Sequence, residues 1–324
     1  MRFDLDKVPA MHALFHQAPY TRFMEFIAQD ADRRSVLCST LEETGLDFAE
    51  ITLGKNRHIA VFPQGKKAAF SGTVLTAHYD RAEGSPGAND NGAAVFMLVD
   101  AAMGFHKAKN ENGNESPPVI FFTDKEELKT GETLEEQGAY ALAFYLKENR
   151  LDGKIFTFDA CGSGDTLIIS TAADTLMRDA AGSRTAAFRR RVRELRTTAL
   201  EAARAAAIKK VLLLPTPFSD DAGFFRAGLC AQTITVLPAG EAAAFSALVR
   251  RQGGFMQNGG AEQIAGGGQS GAARSLLSSA VPPPGDRRLI PETWRSLNGP
   301  GDSHIRLTTE HWKKIVAFAG ALGR

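Results

Sequence analysis

Three short apolar runs, separated by helix-like segments, constrain the fold of this chain more than any other feature. The runs are GTVLTAH at 72–78, PPVIFFTD at 117–124 and GKIFTFDA at 153–160. Each run is continuously apolar rather than alternating, which is typical of strands buried on both faces. Residues 91–107 and 136–149, between the runs, have the pattern of helices. This alternation predicts an α/β fold with a mostly parallel (mixed) central sheet and helices on both of its faces.

The remaining predicted elements extend the same architecture. The sequence predicts further strands at 47–53, 58–63, 166–171 and 232–238 and further helices at 9–29, 32–45, 186–210, 219–227 and 308–321. Residues 252–287 are rich in Gly, Ala, Ser and Pro, and we expect them to form a long loop that borders the functional site. We find no repeat and no convincing linker, so residues 1–324 are predicted to form a single domain with this loop as an insertion.

The overall charge argues against two classes of partner. The chain has 38 Lys and Arg residues against 37 Asp and Glu residues, a formal net charge of +1. This balance disfavours nucleic acid and a charged membrane surface as partners. The arginines within 186–210 are predicted to form the solvated face of an amphipathic helix rather than a nucleic-acid surface. No apolar run reaches the roughly 18 residues that a membrane span needs.

The N-terminus and the cysteines favour a cytoplasmic location. The segment MRFDLDKVPAMHALF carries acidic residues and no continuous apolar core, unlike a secretory signal. Cys38, Cys161 and Cys230 are far apart and form no CxxC motif, so we expect reduced thiols.

Residues with metal-binding chemistry follow the three apolar runs. They are His78, Asp80, Asp90, Glu126, Glu127 and Asp159. Each motif alone has a structural explanation, since an HxD at a strand end is usually structural and an EE pair is usually exposed. Parallel strands, however, place their carboxyl ends at one edge of the sheet, where acids that meet repel one another unless a cation neutralises them. The joint placement therefore predicts a metal site, and its imidazole and carboxylates suit zinc, with manganese or cobalt as alternatives.

Four sequence motifs resemble one enzyme family. HYD at 78–80, SPGANDN at 85–91, the EE pair and FDACGSGDTLIIS at 158–170 are similar to the co-catalytic zinc aminopeptidases, the family that includes bacterial leucyl aminopeptidases and glutaminyl cyclases. The resemblance covers roughly 70–171, resumes at 217–240 and is weak at 292–308. It implies a zinc-exopeptidase architecture, one or two zinc ions, and cleavage of N-terminal residues from a small peptide or aminoacyl substrate.

The resemblance also implies a role for each residue. His78 and Asp159 would hold one ion, Glu127 would hold the other, and Asp90 would bridge them. Asp80 would orient the His78 ring. Glu126 would be the general base, which takes a proton from a water that the metal activates.

The chain departs from the family pattern at several positions. Aligning Asp302 and Ser303 with the family places Asn298 where the last ligand, a His, should stand, and an amide is a poor zinc ligand. His304 is the candidate that would supply the missing nitrogen. Asp221 replaces the His of an SDH motif, and Lys125 stands before the EE pair where a small residue is common. These departures leave the fold intact and put full activity in doubt.

Three functions therefore compete. The leading hypothesis is a metal-dependent aminopeptidase-like hydrolase. A glutaminyl cyclase would use a single zinc ion that relies on Asp90, Glu127 and the last His position, which Asn298 removes. A non-catalytic binding protein on the same scaffold is the third hypothesis, which Asn298, Asp221 and the Gly-rich segment 252–287 motivate.

Overall fold

A single eight-stranded sheet organises the part of the chain that the structure, a computed structural model, describes: residues 20–63, 70, 72–112, 117–177, 183–256 and 290–323. Its strands are β1 (Asp47–Leu53), β2 (Asn56–Phe62), β3 (Thr73–His78), β4 (Val119–Thr123), β5 (Lys154–Phe158), β6 (Thr166–Ser170), β7 (Val211–Leu214) and β8 (Ala231–Leu237). Their order across the sheet is β1-β2-β4-β3-β5-β8-β6-β7.

The centre of the sheet is parallel and its flanks are mixed. Strands β4, β3, β5 and β8 run parallel to one another. Antiparallel pairs join β1 to β2, β2 to β4 and β6 to β8, while β7 pairs parallel to β6. The mixed, mostly parallel sheet predicted from the apolar runs is confirmed.

The helices are α1 (Tyr20–Phe26), α2 (Arg33–Thr44), α3 (Ala94–Asn112), α4 (Gly138–Glu148), α5 (Ala172–Leu176), α6 (Ser183–Ala205), α7 (Asp220–Arg226), α8 (Ala239–Met256), α9 (Glu292–Arg295) and α10 (Thr309–Leu322). A π-helical turn spans Ala88–Ala93, and 3₁₀ turns span Leu134–Glu136 and His304–Arg306. None of the described helices is long and apolar enough to cross a membrane.

Alternate residues of the central strands pack into two separate hydrophobic clusters. Leu75 and Phe122 belong to a cluster that includes residues of α3, α6 and α10, whereas Val74 and Phe121 pack with residues of α4. Successive side chains of a strand point to opposite faces, so helices cover both faces of the sheet. This explains why the central strands are continuously apolar in sequence.

Some element boundaries differ from the predictions. Helix α8 continues to Met256, so the predicted start of the loop at residue 252 is wrong, and residues 257–287 lie outside the described part of the chain. The alanine-rich start of α8 favours a helix. The Gly-rich composition that begins at residue 252 favoured a loop, so the last turn of this helix was not predicted. Of the predicted helix at 9–29, Tyr20–Phe26 is helical and residues 9–19 are not described. Strand β7 was not predicted.

The register of the central strands brings their carboxyl ends together. His78 at the end of β3 pairs with Thr123 at the end of β4, and Thr76 pairs with Thr157 of β5. The EE pair follows β4 by three residues and Asp159 follows β5 directly. The fold therefore delivers the predicted metal-binding side chains to one edge of the sheet.

Candidate metal centre

Three predicted ligands converge at this edge. His78 is fully buried, and its Nε2 lies 3.0 Å from Asp90 Oδ1 and 3.6 Å from Asp159 Oδ1. One nitrogen or oxygen atom from each of the three residues lies within 4.8 Å of the other two. His78 comes from β3, Asp159 from the end of β5 and Asp90 from the π-helical turn before α3.

The converging atoms have the character of an ion-binding site. His78 Nδ1 and Nε2, Asp90 Oδ1 and Asp159 Oδ1 are buried and make no hydrogen bond of good geometry to the described residues. Buried polar atoms without partners are costly, and native proteins rarely keep them. A divalent cation would satisfy them, and a donor set of one imidazole nitrogen and two carboxylate oxygens suits zinc. The residues therefore fit the metal that the sequence predicts.

Asp80 connects His78 to the EE pair. One carboxylate oxygen lies 3.4 Å from His78 Nδ1 and accepts the Glu126 backbone N–H at 3.1 Å. The other oxygen accepts the Glu127 backbone N–H at 3.0 Å. Burial alone would raise the pKa of Asp80, but His78 and these two amides outweigh it and lower the pKa. Asp80 thus remains a carboxylate that fixes both the imidazole and the backbone of the EE pair.

The surrounding acids titrate abnormally. Burial raises the pKa of Glu126 well above its usual range and that of Glu127 to about 8. Burial and the neighbouring Asp159 likewise raise the pKa of Asp90. For His78 burial lowers the pKa, but contacts with Asp159, Asp80 and Asp90 outweigh it and raise the pKa. Carboxyls crowded together at one buried place repel one another when they ionise, and a bound cation would relieve that repulsion.

A network of main-chain contacts fixes the turn that carries Asp90. Asn91 donates its amide N–H to the Phe158 carbonyl at 2.8 Å, and Asn89 Oδ1 accepts the Gly162 N–H at 2.7 Å. The Asp302 carboxylate accepts the N–H groups of Asn89 and Asp90, each at 2.9 Å. The sequence around Asp302 does not indicate this role. The two asparagines were not predicted either, although their position on either side of Asp90 is a signal that the sequence offers.

The loop after β4 positions the EE pair. Lys125 adopts a left-handed conformation with φ of 60°, and its Nζ pairs with Glu132 Oε1 at 3.0 Å. Gln137 is buried, and its Nε2 lies 3.4 Å from both the carbonyl oxygen and Oε1 of Glu126. The Lys125 side chain is therefore paired with an acid outside the EE pair, while Gln137 contacts Glu126.

The positions that depart from the family pattern lie in different environments. Asn298 is exposed in a turn, and His304 begins a 3₁₀ turn and is partly buried. The three-residue group of converging ligands includes neither His304 nor Glu127. Asp221 is buried, accepts the Ser219 backbone N–H at 2.9 Å, and has a pKa that burial raises to about 7.

Comparisons with known proteins agree on the fold and the family. The model of peptidase family M28 matches residues 59–242, more than half of the 324 residues. A search of curated proteins finds no match.

Solved structures resemble most or all of the chain at low sequence identity. The Legionella pneumophila LapA aminopeptidase is 13% identical, with 100% of this chain and 72% of that chain covered and a TM-score of 0.56. LapB from the same organism is 12% identical, with 97% and 73% covered and a TM-score of 0.54. Glutaminyl cyclase of Porphyromonas gingivalis is 14% identical, with 92% and 94% covered and a TM-score of 0.51. Such identities support a shared fold, and activity has to be argued from the residues themselves.

Proposed function

We propose, because this chain belongs to peptidase family M28, that it is a metal-dependent hydrolase that removes N-terminal residues from peptides. The observation that carries the proposal is the convergence of His78 Nε2, Asp90 Oδ1 and Asp159 Oδ1, which are buried and make no hydrogen bond of good geometry to the described residues. These three residues would hold the metal. A zinc ion bound there supplies Lewis acidity, which polarises a carbonyl group and makes water more acidic.

Glu126 is the proposed general base. A carboxylate oxygen of Glu126 takes a proton from the attacking water and delivers it to the amine nitrogen of the leaving peptide. Asp80 holds the backbone N–H of Glu126 and thereby fixes the position of the base.

The proposal also includes a second metal ion, next to the ion at His78. Asp90, Glu127 and His304 are the residues that would hold this ion. Glu127 is near enough for the charge of Asp90 to raise its pKa. Exposed Asn298 offers at best an amide oxygen, so we expect the second ion to bind more weakly than the ion at His78.

The proposed substrate is a small peptide or aminoacyl compound with a free N-terminal amine. That amine is an ammonium cation at neutral pH, and the acids at the sheet edge attract it. A glutaminyl cyclase is disfavoured because its single ion would rely on Asp90, Glu127 and the last His position. The assembled ligands are instead His78, Asp90 and Asp159.

Substitution of the proposed base tests this function. We expect Glu126→Gln to reduce the hydrolysis of aminoacyl anilides at least about 100-fold, the usual contribution of general-base catalysis. Zinc content, measured by elemental analysis, should stay at the wild-type value. Glu135→Gln is the matched control, because Glu135 pairs with Arg226 in an exposed contact and should leave turnover unchanged.

Two outcomes would contradict the proposal. Full turnover by Glu126→Gln would remove Glu126 from its role as base. A wild-type protein that binds zinc stoichiometrically but hydrolyses no aminoacyl anilide and no peptide would instead favour a non-catalytic binding protein.

A further inference from the structure

Arg33 contacts the main chain next to the proposed metal ligands, from a position in its helix that does not favour a cation. It is the first residue of α2, which follows the N-cap Asp32, and only 5% of its surface is exposed. The N-terminus of a helix carries a partial positive charge, so a cation there is unfavourable, and burying a guanidinium adds a further cost. Interactions elsewhere must therefore offset the local cost of Arg33.

The guanidinium of Arg33 donates hydrogen bonds to four main-chain carbonyl oxygens. Nη1 donates to Tyr79 O at 3.1 Å and to Asp80 O at 3.0 Å, and Nη2 donates to Pro86 O and Gly87 O at 2.7 Å each. Four carbonyl dipoles that point at one place repel one another without a cation between them. The planar guanidinium can meet two pairs of acceptors at once, which a lysine ammonium cannot do in the same geometry.

These four carbonyls lie at the two ends of one segment, residues 79–87. One end follows His78 directly and includes Asp80, while the other end stands three residues before Asp90. The segment therefore connects His78 on strand β3 to Asp90 in the π-helical turn. Arg33 donates hydrogen bonds to both ends of the segment. Gly87 has a φ of +59°, and a Cβ atom there would stand 2.4 Å from Arg33 Nη2, so the close approach also requires glycine.

Charge couples Arg33 to the same site. Burial lowers the pKa of Arg33 to about 9, and Asp80, Asp90 and Asp302 act in the opposite direction and favour its charged form. Arg33 therefore stays protonated at neutral pH. Its aromatic contact, with the guanidinium carbon 4.4 Å from the centre of the Phe26 ring, holds the group on the side of α1.

We propose that Arg33 is a positioning residue for the metal centre: its guanidinium fixes both ends of the 79–87 segment and thereby presents Asp80 and Asp90 to His78. The inference rests on the proposed metal-dependent function, because it assumes that His78, Asp90 and Asp159 bind an ion. Arg33 itself touches neither ion nor substrate and acts through the carbonyls of the segment.

Zinc affinity measured without turnover tests the proposal. Purified full-length protein, stripped of metal, is titrated with zinc in competition with a chromophoric chelator. We expect Arg33→Met to bind zinc at least about tenfold more weakly than wild type, the usual effect of removing a group that orients metal ligands. Arg33→Lys retains the positive charge but loses the planar guanidinium with its paired donors. Its zinc affinity should therefore lie between that of wild type and that of Arg33→Met.

Arg196→Met is the matched control. Arg196, on helix α6, is also largely buried and pairs with Asp174 of helix α5 at 2.8 Å. Its substitution therefore removes a buried arginine that does not contact the 79–87 segment. We expect its zinc affinity to stay within about threefold of wild type, whatever its loss of thermal stability. A reduced affinity confined to the Arg33 variants separates positioning from general destabilisation.

The outcomes distinguish this inference from the proposed function. Wild-type affinity in folded Arg33→Met would overturn the positioning role while leaving the metal centre intact. If Arg33→Met does not fold, Arg33→Lys decides, and wild-type affinity in that variant would overturn the inference. A wild-type protein that binds no zinc would contradict the proposed function, and the inference would fall with it.

Discussion

The Asp302 carboxylate accepts the backbone N–H of Asp90 at 2.9 Å, across 212 residues of sequence. Its other oxygen accepts the N–H of Asn89 at the same distance. A carboxylate that receives two N–H groups fixes the backbone firmly, because both bonds are charge-assisted. The segment near the C-terminus therefore holds the metal-binding turn in place, although no metal role is assigned to Asp302.

Substitution of Asp302 should weaken metal binding. Asp302→Asn replaces one acceptor oxygen with an NH₂ group, which would face a backbone N–H and leave it unpaired. We expect zinc affinity to fall about tenfold, as for other groups that orient metal ligands. Competition titration measures the change, and Asp174→Asn, at an exposed position on α5, is the control. Equal zinc affinity in Asp302→Asn and wild type would show that the turn that carries Asp90 keeps its conformation without the Asp302 carboxylate.

The stability of the protein should depend on pH through His58. This residue is fully buried, and its Nδ1 accepts the Asp124 backbone N–H at 3.3 Å, which requires the neutral ring. Burial lowers the pKa of His58 from 6.5 to about 4. Between these pH values the unfolded chain binds a proton that the folded chain refuses, so stability falls as pH falls from 6.5 towards 4.

The variant His58→Asn isolates this contribution. The asparagine oxygen can accept the same N–H but does not titrate. From the shift of 6.5 to about 4, we expect wild type to lose about 3 kcal/mol more than the variant over this range. Urea unfolding of both proteins at pH 7 and at about pH 4, in one chelator-containing buffer, measures the difference. Parallel pH dependence in the two proteins would exclude His58 as its source.

His304 should determine the second zinc equivalent. If His304 completes the set with Glu127, His304→Gln abolishes the weaker equivalent and leaves the tighter one at His78 unchanged, because an amide is a poor zinc ligand. Calorimetric titration of the metal-free proteins resolves the two equivalents. Asn298→Gln alters an exposed side chain without removing an imidazole and serves as the control. An unchanged weaker equivalent in His304→Gln would exclude His304 as a ligand.

The sequence predicts the centre of this molecule because simple geometry governs it. Parallel strands with buried faces are continuously apolar, and their carboxyl ends meet at one edge, so the convergence of His78 and Asp159 follows from strand positions alone. Asp90 joins them through its turn before α3. The family resemblance adds the proposed roles, which the arrangement of side chains does not state by itself.

The supporting residues could not be predicted in the same way. Arg33 and Asp302 contact main-chain groups that lie far away in sequence. Nearly every residue type carries the same carbonyl and N–H groups, so the sequence does not indicate which of them are contacted. Their own local patterns point elsewhere: Arg33 resembles an ordinary charged residue at a helix start, and Asp302 resembles a turn residue. Only the tertiary structure shows which backbone groups need a partner.

The most direct test of the metal centre is anomalous diffraction from crystals of the full chain soaked in zinc, recorded at the zinc absorption edge. We expect a strong peak about 2.0–2.2 Å from His78 Nε2, Asp90 Oδ1 and Asp159 Oδ1, the usual bond lengths for zinc. Zinc peaks that lie elsewhere, with these three side chains free of metal, would contradict it.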